Sequence, residues 1–460
     1  MKRSSSRSDR GGSADGPEGL FDGVLARGRV REQVDDAAWL QAMLDAEAAL
    51  AYAQAETGLI TRAQAETIAE SCGVDRFDIG ELGRDAAAGG NPVIPLVRAL
   101  TAAVYEADQE AAKHVHRGAT SQDILDTAAM LVAYRATEPL LDDLTATAER
   151  AARLADEHRA TLMPGRTLLQ HALPITFGLT AAGWLVALDA AAEGLTRVRE
   201  ERLAVQLGGA SGTLASLGDS GVRVLSAYAE VLGLAEPPVP WHTDRTRVAE
   251  LAGALGSLAG AVAKIGRDIV LLAQTEVAEV AEGAPGGSST MPHKRNPVAA
   301  VSAVAAAARA PGLVSTVFGA MAQEHQRGAG GWHAEWLPLR DLLGTVGSAV
   351  ASLRDCLGGL EVDAGRMRAN LGLTGGHLLT ERVTGALAKR LGRLAAHDTV
   401  TKASAAALSS GRPLGEVLVE AGIPADEVAA LLDPAGYLGS AEAFVDRALA
   451  AHESTVEEEP

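Results

Sequence analysis

The chain has 460 residues, which leaves room for two or three domains and a large core. Aromatics make up only 3% while Ala, Leu, Val and Gly abound, favouring closely packed helices over a β-sandwich. The net charge of −18 makes nucleic acid and anionic membranes poor partners, and the two cysteines, Cys72 and Cys356, supply neither a disulfide framework nor a Cys-rich metal site, as suits a reduced cytoplasm.

Residues 1–18 are basic, then polar, with no apolar run behind the charges, so they read as a disordered arm and not as a secretory signal. A helical N-terminal domain is expected over 19–108. Ala37, Leu40, Leu44, Ala48 and Ala51 recur three or four apart, and a second apolar run at 94–103 follows the turn residues of 88–92.

The block 109–358 carries the longest helical patterns. Val248, Leu251, Leu255, Leu258, Val262, Ile265, Ile269 and Leu272 alternate steps of three and four, the seam of a helical bundle. Leu141, Leu144, Ala148, Ala151 and Ala155 repeat it more weakly, and 173–204 and 333–357 read as further helices. No window approaches about 18 uninterrupted apolar residues, so no membrane span is expected. Helices rich in Ala and Gly can bury faces on both sides, which predicts a homo-oligomer. Shorter helices broken by glycines at 372–376 and 410–415 predict a third helical domain over 359–452, followed by an acidic, disordered tail at 453–460.

Several stretches could carry chemistry. In 116–123, HRGATSQD, Thr120 or Ser121 can cap the following apolar helix; its free N–H groups would suit a carboxylate, although a plain N-cap reads equally well. His114 and His116, two apart, make a weak metal pair. In 165–174, GRTLLQHALP, His171 enters what reads as an apolar helix, where a lone histidine is more often structural than catalytic. The stretch 207–214, LGGASGTL, lacks the Lys-Ser/Thr of a phosphate loop and suggests only close backbone approach. WHTDR at 241–245 opens the seam helix, with Thr243 or Asp244 as its cap. The densest stretch is GGSSTMPHKRNP at 286–297, within a loop expected over 283–297. Asn296 as N-cap and Pro297 at the first helical position would turn a positive helix end toward it, and an ammonium beside Ser288 or Ser289 could make either hydroxyl a proton carrier. Last, Trp332 and Trp336 lie four apart after Arg327; with Trp241 they suit either ordinary packing or walls around a planar anion.

GSSTMPHKRNP resembles the signature loop GSSxMPxKxNP of the fumarase/aspartase superfamily, and HRGATSQD resembles its first signature region, HxGxTSxD. The resemblance implies an all-α fold of three helical domains, a tetramer with a 20-helix core built from the central bundles, and composite sites drawn from three subunits. It places proton transfer on Ser288, with Lys294 and Asn296 on the family's lysine and asparagine. HRGATSQDILDTA, GRTLLQHALPITFG, PWHTDR, GGSSTMPHKRNPV and WHAEW together are similar to the 3-carboxy-cis,cis-muconate lactonising enzymes. Fumarase-like and purine-nucleotide members have a histidine where this chain has Leu168, which leaves His171 as the acid/base candidate.

The expected site is therefore Ser288, His171 and Lys294 for catalysis, with His116, Thr120, Ser121, Gln122, Gln170, Asn296, Arg327, Trp332 and Arg245 contacting a small polycarboxylate. Lys294, Arg295, Arg327, Arg117 and Arg245 are the obvious source of a positive cleft in so acidic a chain. No cofactor or metal is expected. A fumarate-releasing C–N or C–O lyase acting on an adenylosuccinate-like, argininosuccinate-like or nitrosuccinate-like substrate is the alternative, and a catalytically silent relative the third.

Overall fold

The computed structural model describes residues 19–287 and 289–457; the expected arm at 1–18 lies outside the described residues. The main helices are α1 (Asp36–Glu56), α2 (Val93–Ala107), α3 (Ser121–Glu157), α4 (Phe177–Glu201), α5 (Thr246–Leu272), α6 (Val298–Ala307), α7 (Ala310–Gly319) and α8 (Trp336–Gly358). The expected helical fold is what the structure shows, with two additions. Two-stranded antiparallel ribbons join β1 (Leu162–Thr167) to β2 (Gln170–Thr176), and β3 (Val280–Glu282) to β4 (Leu360–Val362). The helix expected from 173 thus starts at Phe177, because β2 occupies the preceding residues.

The centre is a bundle in which α3, α5 and α8 run one way and α4 and the α6–α7 pair run the other. Trp184 Nε1 near the start of α4 donates to Asp268 near the end of α5 at 2.8 Å, while Arg150 late in α3 reaches the carbonyl of Leu357 at the end of α8 at 3.0 Å. The heptad seam of α5 is buried at every position, from Val248 at 1% exposure to Leu272 at 7%. Close approach of α5 and α6 requires glycine at 266, where a Cβ would sit 2.9 Å from Val304 Cγ2. Leu144, Ala148, Ala151 and Ala155 of the weaker stripe are also buried, and Leu141 is half-buried.

Helix α1 shares the bundle's core. Val383, Leu387, Ala396, Val400, Leu414 and Leu418 form a separate cluster in α9 (Thr380–Leu391), α10 (Arg393–Ser410) and the segment after it. The last helix, α11 (Ala441–Glu457), returns to α4, where His452 meets Asp189 at 3.1 Å; it extends through the first residues of the stretch expected to be a disordered tail.

Two stretches, Thr246–Leu272 and Val298–Gly319, are long and apolar enough by length and composition alone to cross a membrane, a test that the core helices of a bundle also meet. The first keeps its seam inside the bundle. The second leaves Val298, Val301 and Phe318 exposed on the single chain.

Candidate active site

At the N-terminal end of α3 four distant segments are tied together. Asp123, fully buried, accepts from the backbone N–H groups of Thr120, Gly208 and Gly209, each at 2.9 Å, and contacts His242 Nε2 at 2.7 Å. Arg327 donates through Nη1 to Thr120 Oγ1 at 3.0 Å and through Nη2 to the carbonyl of Ala210 at 3.1 Å. The glycines allow this closeness: Gly118 has φ +84°, and a Cβ there would lie 2.6 Å from Leu217. Thr120 is the N-cap of α3 and Ser121, half-buried, its first residue. His116, at φ 58°, reaches Glu47 Oε1 of α1 at 2.6 Å through Nδ1. His116, Thr120, Ser121 and Arg327 therefore stand together, as the sequence predicts.

Three predicted contacts lie behind this cluster, each paired with groups of the chain itself. Arg245 is 3% exposed and bound by two carboxylates, Asp126 at 2.9 and 3.0 Å and Glu335, so its charge is already used. Burial pushes the Glu335 carboxyl up to about 7, with Asp126 adding to the rise and Arg245 opposing it. Gln122, fully buried, donates to Asp126 at 3.0 Å and to the His242 carbonyl at 2.8 Å. Trp332 is 4% exposed; its Nε1 donates to Asp126 at 3.0 Å and its ring meets the half-buried Trp336 edge-on at 4.9 Å, so Trp332 packs in the core where an anion-facing wall was one expectation. Arg245 itself is the N-cap of α5; Asp244 accepts from Thr246 N at 3.1 Å.

The stretch 165–174, the second signature region, lies in the β1–β2 hairpin. Arg166 pairs across the ribbon with His171, and Thr167 with Gln170, leaving a two-residue turn at Leu168 and Leu169. Both leucines have positive φ, 50° and 63°, and are 97% and 68% exposed. Such turns favour Asn and Gly, since a branched side chain resists the left-handed region. His171 is on a strand, not a helix. Its Nδ1 is buried without a partner, and burial, then Arg166, holds it below the ordinary histidine range. Gln170 is exposed, and its side chain reaches the Leu169 carbonyl at 3.3 Å. Arg166 is anchored by Glu279, at 2.7 and 2.9 Å, which also accepts from Asn370 at 2.8 Å.

The signature loop follows β3. Gly286 and Asn296 exchange backbone hydrogen bonds at 2.9 and 3.0 Å, closing the loop at its base, and Asn296 Nδ2 donates to the Gly287 carbonyl at 3.3 Å. Ser288 lies outside the described residues. Pro297, not Asn296, is the N-cap of α6. The first N–H groups of that helix are engaged: Ala299 and Ala300 donate to the buried Glu282 carboxylate at 3.1 and 2.7 Å. Lys294 is exposed, whereas Arg295 turns toward β3 and β4, to the Glu282 carbonyl at 3.3 Å and Glu361 at 3.6 Å.

Within one chain the first and second signature regions sit at opposite ends of α3. Its 37 residues span about 55 Å at 1.5 Å per residue. The hairpin and the loop are neighbours through Glu279 and β3; the His116–Thr120–Arg327 cluster is remote from both. Sequence reasoning missed Glu47, Glu279 and Glu282. Each is an acidic residue inside an otherwise ordinary segment, with only its burial to mark it.

A family model described as Lyase matches residues 24–312, and one described as adenylosuccinate lyase C-terminus matches 376–448. The chain is 48% identical to the 3-carboxy-cis,cis-muconate cycloisomerase of Bradyrhizobium diazoefficiens over 434 residues, 93% of this chain and 96% of the relative. It is 46% identical to the nitrosuccinate lyase of Streptomyces davaonensis over 447 residues, 94% of each. The crystal structure of the 3-carboxy-cis,cis-muconate lactonizing enzyme from Pseudomonas putida superposes with a TM-score of 0.90 at 44% identity, covering 95% of this chain and 99% of that one.

Proposed function

From the premise that this chain belongs to the lyase family, we propose that it converts 3-carboxy-cis,cis-muconate to 4-carboxymuconolactone. The observation that carries this reading is the 48% identity to a cycloisomerase of that name along nearly the whole of both chains. In the reaction a carboxylate of the substrate adds across a double bond while a proton joins the carbon beside another carboxyl. The aci-carboxylate formed on the way needs no cofactor if fixed donors hold it.

Ser288 is the proposed proton donor, abstracting in the reverse direction as microscopic reversibility requires. His116, Thr120, Ser121, Arg327, Lys294 and Asn296 bind carboxylates, and His171 relays or positions the proton. The separation of about 55 Å along α3 favours sites assembled from several copies. A homotetramer with the exposed apolar face of α6–α7 inside its core accounts for Val298, Val301 and Phe318. Division into helical domains at 109 and 359, and a cytoplasmic location, complete the reading.

The 46% identity to a nitrosuccinate lyase supports a second reading, release of fumarate from a substituted succinate. Incubation with 3-carboxymuconate, nitrosuccinate, adenylosuccinate and malate in separate cuvettes, with a chelator present, separates the two. Loss of the muconate absorbance alone is expected. Fumarate from any of the others, with muconate untouched, would replace the first reading by the second.

A further inference from the structure

The His116–Glu47 pair joins the candidate site to a helix that carries none of the signature motifs. Glu47 lies in the middle of α1 and is 1% exposed. Its Oε1 is 2.6 Å from His116 Nδ1, and its Oε2 has no partner, so the imidazole is the one group in hydrogen-bonding contact with this buried carboxylate among the described residues. An ionised carboxylate out of water without a cationic neighbour is costly, which ties the charge of Glu47 to that of the ring.

The backbone around His116 is held just as firmly. Its φ of 58° is uncommon for a residue with a side chain, and such strain persists only where surrounding contacts enforce it. Gln54, two turns beyond Glu47 on α1, donates to the Arg117 carbonyl at 2.8 Å. Arg117 itself turns away to the Leu59 carbonyl at 3.2 Å. Helix α1 thus grips both the side chain of His116 and the peptide that follows, four residues before the Thr120 hydroxyl held by Arg327. Nε2 of His116 makes no hydrogen bond among the described residues.

We infer that Glu47 is a positioning residue for the proposed reaction: it holds His116 Nδ1 inward and leaves Nε2 to a carboxylate of the substrate. The inference rests on the cycloisomerase reading of this site. A hydrogen bond from one ring nitrogen fixes the tautomer and aim of the other.

The charged groups that face the ring are Glu47 from α1 and Asp123 from α3, both negative. Burial works against the imidazolium and is the largest single influence, yet the two carboxylates raise His116 above the ordinary histidine range. A carboxylate substrate is then bound best while the ring is protonated. With the substrate's carboxylates ionised, binding is strongest below the elevated value and is lost as the pH rises through it.

The test is the pH profile of kcat/KM for 3-carboxymuconate in the wild type, Glu47→Gln and His116→Gln. Glu47→Gln keeps the shape and can still accept from Nδ1–H, but removes the charge. Its alkaline limb is expected to move to lower pH by roughly one to three units, with kcat/KM below the limb close to wild type. His116→Gln is expected to abolish the limb. If Glu47→Gln does not fold, Glu47→Asp, which withdraws the carboxylate by one methylene, is expected to give a smaller shift in the same direction. No turnover of 3-carboxymuconate by the wild type would sink the cycloisomerase reading itself. Wild-type turnover with an unmoved limb in the folded Glu47 variant would overturn the role of Glu47 alone.

Discussion

Arg245 and Asp126 form a two-pronged pair, at 2.9 and 3.0 Å, between side chains 2% and 3% exposed, and Glu335 closes the other side of the guanidinium. This pins the first turns of α3, α5 and α8 at one point, just beneath the Thr120–Arg327 clasp. Arg245→Leu strands two buried carboxylates and is expected to cost about 3–5 kcal/mol. Urea unfolding measures it. A variant of full stability that has lost only substrate affinity would return Arg245 to the substrate contacts predicted from sequence.

One guanidinium facing two carboxylates also predicts a pH dependence. Glu335 titrates near 4.5 when exposed and at about 7 in the fold, so folding favours its protonated form. The associated stability is fully present below 4.5 and is lost as the pH rises to about 7, a contribution on the order of 3 kcal/mol. Glu335→Gln mimics the protonated state. Its stability relative to wild type is expected to grow between pH 5 and 7.5, and two parallel curves would show that Glu335 does not titrate there.

The hairpin tip makes a separate prediction. Leu168 and Leu169 combine an unfavourable backbone with exposed apolar surface on the single chain, which fits a tip that packs on another copy. Replacing them together by Asn and Gly relaxes the turn but removes the contact. Sedimentation is expected to show a weakened oligomer, with helix content unchanged by circular dichroism. An assembly as tight as wild type would mean that the tip faces solvent.

The helices were legible because their burial is written in local spacing. Every seam residue of α5 from Val248 to Leu272 is buried where the three-four pattern puts it. The hairpin at 162–176 was not, because Leu168 and Leu169 occupy a turn that normally announces itself with Asn or Gly, and the alternation on either side is short. Of the expected site residues, Thr120 and Arg327 meet, at 3.0 Å. Arg245, Gln122 and Trp332 all pair with Asp126, which no motif records, since a motif shows which residues cluster but not which of them a carboxylate already satisfies. Glu47 and Glu282 act over long chain separations, which no local pattern reports.

The neutralised end of α6 decides which group has to activate the signature loop. With Ala299 and Ala300 donating to Glu282, the helix terminus is not free to stabilise a serine alkoxide, and Arg295 is turned toward Glu361. Lys294, exposed beside His293 on the loop, is the ammonium proposed for that work. Ser288→Ala is expected to lose most of kcat with an unaltered circular dichroism spectrum. Lys294→Ala is expected to lower kcat by about a hundredfold or more, the usual cost of removing one donor from a developing oxyanion. Steady-state kinetics on 3-carboxymuconate distinguish this from simple substrate binding: if Lys294→Ala raises KM while kcat stays near wild type, Lys294 only holds a carboxylate and the serine must be activated from another subunit.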